Sequence, residues 1–183
     1  ALAAALDGKV AAPAAPILGA VLALGTWLEM PSWWSSTALW GDAFHDQPGP
    51  AAACGLFKNL ELGGDDEAAG ALLPLTFPRP HCCYNAVHFD LDRDRPALAL
   101  ARGQMALAAG CTASPEITGA MALAAAREGQ WELAVEMARV HGRDPYGYGP
   151  VVLVAAGLRV GDRSEMEAWG GDPALEAAAE RLL

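Results

Sequence analysis

The residues with the richest chemistry lie close together. His81, Cys82, Cys83 and His88 form the densest group of potential metal ligands in the sequence. Zinc sites favour spaced pairs such as Cys-x2-Cys, which let two thiolates converge on one ion. Adjacent cysteines on a helix point about 100° apart and chelate one ion poorly. Cys54 or Cys111 would have to complete the set from elsewhere in the chain. Buried cysteines on helix faces account for these positions, so no metal is expected. Four cysteines in 183 residues also fall short of a disulfide-dense scaffold.

Asp90, Asp92, Arg93, Asp94 and Arg95 form a mixed-charge run. Paired carboxylates suit general acid–base work. Here arginines alternate with them at an expected inter-helix turn, which reads as a solvated turn with self-pairing charges. The sequence carries no nucleophile elbow, Walker loop or dinucleotide fingerprint. No catalytic residue and no cofactor are expected, and the chain reads as a non-enzyme. Aromatic residues make the third group: Trp27, Trp33, Trp34, Trp40 and Phe44. Trp33, Trp34 and Trp40 crowd one short stretch, more than a thin helical hairpin easily buries. Tryptophan is enriched in binding hot spots, so these five are the candidate partner-binding residues.

Charge narrows the partner. The net charge is −10, and residues 111–183 hold six Arg against eleven Asp plus Glu, or −5. A nucleic-acid binder presents a basic face to phosphate, which disfavours that partner class here. Acidity of this size serves solubility.

Helices are the elements that must position these groups. The chain contains 40 alanines and only two lysines, Lys9 and Lys58. Alanine is the strongest intrinsic helix former. With 53% hydrophobic and 19% charged residues, the chain is expected to fold as one domain or a short repeat array. It begins at Ala1 rather than Met, as a processed or trimmed product would. From Val10 to Leu28 no residue is charged, a run of 19 that is just long enough to span a bilayer. Pro13 and Pro16 interrupt it and Glu29 stops it. A buried helix starting near Pro16 is expected, with a membrane contact through Val10–Leu28 as the other outcome.

A repeat organises the helices. Tyr84–Pro115 and Thr118–Pro145 both read as an apolar helix, a charged or glycine turn, a second Ala/Leu/Met helix, then Gly and Pro. Asn85 of the first aligns with Gly119 of the second, and weaker copies place Gly19, Gly55 and Val151 in equivalent positions, at steps of 36, 30, 34 and 32 residues along the chain. Gly63-Gly64-Asp65-Asp66 and Arg127-Glu128-Gly129 read as turns inside hairpins. Leu98 with Met105, and Leu133 with Met137, fall on single helix faces that stacked neighbours would bury. Asp172 before Pro173 reads as the cap of a last helix. The expected fold is all-α, an α-solenoid of about four to five helical hairpins with a period of about 34. Residues 1–15 form the end of a preceding unit or an extension. Residues 16–170 form the hairpins, with 81–115 and 116–149 as the best units. Residues 171–183 form a C-terminal capping helix.

The unit resembles the pentatricopeptide repeat. Tyr84-Asn85, Ala97-Leu98, Met105, Gly110 and Pro115 match its pattern, and Gly129-Gln130-Trp131-Glu132, Ala134 and Met137 match in the next unit. The Gly-Gln-Trp-Glu turn is similar to a form common in algal proteins of this family. The resemblance implies an organellar protein, in a chloroplast or mitochondrion, whose repeats read single-stranded RNA one base at a time. The reading positions fall on Asn85 and Ser114, a polar pair able to hydrogen-bond a base edge. Glycine at 19, 55 and 119 and valine at 151 offer no side-chain donor or acceptor. The expected function is therefore a non-catalytic scaffold, an accessory subunit binding protein subunits of a larger organellar assembly. Its acidity favours a photosynthetic or respiratory membrane complex over a ribosome. The alternative is an organellar single-stranded RNA-processing factor that uses Asn85 and Ser114.

Overall fold

The structure is a computed structural model and describes residues 11–33, 35–141 and 146–183. Among the described residues all regular structure is helical, as the alanine content implied. The helices are α1 (Ala11–Trp33), α2 (Ser36–Asp46), α3 (Pro50–Leu62), α4 (Asp66–Leu72), α5 (Pro80–Leu91), α6 (Pro96–Ala108), α7 (Pro115–Arg127), α8 (Trp131–His141), α9 (Tyr148–Arg159), α10 (Ser164–Ala168) and α11 (Pro173–Glu180). A short 3-10 turn, Leu73–Thr76, extends α4.

Local chemistry sets these boundaries. Pro50, Pro80, Pro96, Pro115 and Pro173 each open a helix. There the missing N–H would have had no partner, and the fixed φ suits the first turn. Asp65 and Asp172 cap α4 and α11 by accepting from the N–H groups of Ala68 and Ala174. The expected turns at 63–66 and 127–129 and the expected last helix are all present.

The hairpins share one register. Their first helices, α3, α5, α7 and α9, begin at 50, 80, 115 and 148, and their partners begin at 66, 96, 131 and 164. Each second helix thus starts 16 residues after its first. Each first helix also ends with the same hydrogen bond. The N–H groups of Asp65, Arg95, Gln130 and Asp162 donate to the carbonyls of Leu60, Asp90, Ala125 and Gly157, at 2.9, 2.9, 2.8 and 2.9 Å. This closure needs a left-handed residue in the turn. Gly64, Gly129 and Gly161 supply it, whereas the second hairpin uses Asp94 at φ 53°. Asp94→Gly should therefore raise the unfolding free energy by about 0.5 kcal/mol, seen as a higher urea midpoint with an unchanged slope. α1 and α2 begin 25 residues apart, outside this register.

The core runs along the chain in three clusters. Phe57, Ala69, Leu73, Cys82 and Phe89 join α3 and α4 to α5. The largest cluster lies among α5, α6, α7, α8 and α9. Val154, Ala155 and Ala179 tie α9 to α11. α7 is central, with every residue from Ile117 to Ala126 buried. Small side chains make this possible: in α6, a Cβ on Gly103 would come within 2.7 Å of Met121.

Several sequence expectations give way. α1 forms, but it is not buried: Ile17, Leu18, Val21, Leu22, Leu24, Trp27 and Leu28 are 56–66% exposed. Among the described residues its substantial helix neighbour is α2, and no second layer of described helices covers its sides. Among the described residues, no helix is long and apolar enough to cross a membrane. Leu98 and Met105 share a face, as expected, yet that face looks outward. α6 buries Ala99, Leu100, Gly103 and Ala106 instead.

The cysteines are not free core residues. Cys54 of α3 is bonded to Cys82 of α5, and Cys83 of α5 to Cys111 after α6, each across 28 residues. The divergence of neighbouring side chains on a helix explains the pairing. Cys82 and Cys83 point to different partners and staple α5 to the hairpin element on either side.

Candidate functional site

Three groups of side chains could carry function: an ion cluster on α5 and α6, an aromatic stack, and the exposed α1–α2 region.

The ion cluster grows from the mixed-charge run at the end of α5. Asp90 is wholly buried. Its oxygens lie 2.7 Å from the guanidinium of Arg102 and 2.8 Å from that of Arg95. Burial pushes the Asp90 carboxyl above its usual range, against the pull of Arg102, Arg95 and Arg93. Arg93 lies 3.8 Å above the Phe89 ring and reaches Asp66 of α4 at 2.5 Å and Glu61 of α3 at 3.7 Å. The hydrogen bond from Arg93 holds the Asp66 carboxyl below its usual range. The run is the expected turn, with Asp92 and Asp94 exposed and Arg95 paired to Asp90 within it, but Asp90 is buried rather than solvated. Asp90 turns inward because α6 presents Arg102, and Arg93 crosses to the preceding hairpin. The cluster ties hairpins together, and its buried carboxylate is shared between two guanidiniums.

The aromatic stack has no marker in the sequence pattern beyond the four-residue spacing of Tyr84 and His88. Their rings lie 4.0 Å apart, and Tyr146 stacks on Tyr84 at 5.6 Å and on Tyr148 at 5.8 Å. Burial pushes the Tyr84 hydroxyl well above its usual range, and its hydrogen bond with Tyr146 adds to this. The phenol therefore stays neutral.

Two cavities flank the stack. One, of about 380 Å³, is lined by Pro78, Pro80, Tyr84, Ser114, Glu116 and Tyr146 among others. The second, of about 330 Å³, lies between α7, α9 and the end of α11.

The candidate residues fall in different places. Trp27 is 66% exposed on α1. Trp33 ends α1 in its backbone, while its side chain, like Trp34, lies outside the described residues. Trp40 and Phe44 are half-buried on α2. The Trp40 ring lies against Gly55 of α3, where any Cβ would overlap it. Trp40 is thus packed between hairpin elements, and among the described side chains of the set Trp27 is the open one. Ser114 precedes α7 and lines the first cavity beside Tyr84. Asn85, half-buried on α5, is not among that cavity's lining residues. Among the described residues, no group of three or more His, Cys, Asp or Glu side chains is arranged to hold a metal ion.

The chain matches no protein-family model, no curated protein and no solved structure.

Proposed function

We propose that the protein is a non-catalytic helical-repeat scaffold of pentatricopeptide-like build, an accessory subunit held by α1 in a larger organellar membrane assembly. The shared 16-residue step and the repeated turn closure support a solenoid built from like hairpins. The exposed α1 carries the functional reading. Its large apolar side chains sit at 17, 18, 21, 22, 24, 27 and 28, which together cover most of the helix circumference. The Thr26 hydroxyl donates back to the Leu22 carbonyl at 2.9 Å, so that polar group is satisfied inside the helix. A helix apolar on all sides is stable only when surrounded. Covering these side chains is worth on the order of 10 kcal/mol before the costs of association. Protein subunits and the lipid around them in a membrane complex supply such a surround.

The disulfides support a side of the membrane. Buried structural disulfides persist in oxidising compartments and not in reducing ones. The body would then face an oxidising space bordering an organellar membrane. The RNA-processing alternative has less support, because Asn85 is not among the residues lining the cavity at Ser114 and the net charge of −10 disfavours a phosphate backbone.

The test is release from membranes. Leu18→Glu with Leu22→Glu should free the chain from its assembly in gently solubilised membranes. Circular dichroism and melting should stay unchanged, because α1 lies outside the three core clusters. Undiminished retention of the double variant would contradict the role given to α1.

A further inference from the structure

The cavity between α7, α9 and α11 has a chemistry unlike the rest of this acidic chain. Leu123 and Arg127 enter from α7, Tyr148 and Val151 from α9, Ala178 from α11, and Arg181 and Leu182 from the turn after it, with Tyr146 closing one side. Among the described residues, two guanidiniums line it and no carboxylate does. Elsewhere most described arginines are paired with acids: Arg93, Arg95, Arg102, Arg139 and Arg163 each lie within 4 Å of a carboxylate, whereas Arg159 lies over the Trp131 ring and Arg79 has no ion pair among the described residues. Arg127 has a 3.5 Å contact with Asp94, which is itself 92% exposed and weakly held. Among the described residues, no carboxylate pairs with Arg181. The Tyr146 and Tyr148 rings stack at 5.8 Å and 17°, presenting flat apolar surface beside these cations.

We propose that this cavity is a binding site for a small organic monocarboxylate with an aromatic or branched apolar body. The fork of Arg181 takes the carboxylate through paired N–H donors, a geometry that planar guanidinium and carboxylate share. Arg127 adds a second donor from α7. The apolar body lies on Leu123, Val151 and Leu182 and against the tyrosine rings. A volume of about 330 Å³ suits a ligand of this size. Asp94 offsets part of the Arg127 charge, so the described residues of the site carry little more than one uncompensated positive charge. That balance matches a monoanion better than a dianionic phosphate ester. The proposal does not depend on what covers α1.

Calorimetric titration of the disulfide-intact full chain with phenylacetate tests it. Saturable binding with a Kd on the order of 1 mM or tighter is expected. Phenylacetamide, the neutral analogue, should not bind. Arg181→Met should weaken binding about tenfold or more, and Arg127→Met by a smaller factor. Arg181→Lys keeps the charge but loses the fork and should fall between. Arg181 is exposed, so these variants should melt with the parent. No saturable phenylacetate binding, equal binding of the amide, or an unaffected Arg181→Met would each overturn the site. Tighter binding of phenyl phosphate than of phenylacetate would overturn the monocarboxylate assignment. None of these outcomes alters retention of the chain in its assembly, which reads α1 separately.

Discussion

Reduction of the two disulfides is expected to lower the unfolding free energy by about 3.5 kcal/mol for each bond, the loop-closure value for a 28-residue separation. The two closed loops, 54–82 and 83–111, follow one another without overlap, so their contributions should be nearly additive. A domain of this size has on the order of 5–15 kcal/mol to lose. The reduced chain should therefore be largely unfolded near physiological temperature. Urea unfolding with and without a phosphine reductant, followed by circular dichroism, reads the difference. Cys54→Ser with Cys82→Ser should give about half of it, and the same midpoint in all forms would show that the bonds contribute nothing. The consequence reaches function: a chain that needs these bonds must mature where thiols are oxidised.

Arg102→Met is expected to cost about 3 kcal/mol at neutral pH. Asp90 has no exposed surface, and removing Arg102 leaves one oxygen of a buried carboxylate without its closest donor. The sign of the pH dependence follows from the direction of the carboxyl shift. Burial already raises the folded-state value of Asp90 above its unfolded one. A raised acid favours the fold while protonated and loses that contribution as pH rises through its folded value. Removing Arg102 raises Asp90 further, so the deficit of the variant should shrink as pH falls from 8 to 5. Paired urea titrations at the two pH values check this. A deficit that stays constant or grows on acidification would contradict the cluster as described. Replacing Arg102 by Lys keeps a charge near Asp90 and should recover part of the loss.

Local signals survived the step from sequence to structure better than long-range ones. The turns at 63–66 and 127–129, the helix start at Pro115 and the Asp172–Pro173 cap depend on residues within one helical turn. Each was legible for that reason. The disulfides were not, because bringing Cys54 to Cys82 depends on how one hairpin leans on the next. Asp90 looked solvated within its own run, and only Arg102, twelve residues on, explains why it turns inward. The aromatic stack joins α5 to residues two hairpins away, Tyr146 and Tyr148, which no short window contains. For α1, nineteen uncharged residues implied burial, but an apolar pattern carries no information on whether a neighbour exists. Met105 failed similarly: helical spacing fixes a shared face, while the flanking hairpins decide which face is inside.

Native separation of gently solubilised source membranes, with mass spectrometry of each fraction, tests the central claim most directly. The scaffold reading predicts that the chain migrates at high mass with subunits of a photosynthetic or respiratory membrane complex, and that Leu18→Glu with Leu22→Glu shifts it to its own 19.0 kDa. Migration with ribosomal or RNA-processing components, or as a free monomer in unperturbed membranes, would contradict it.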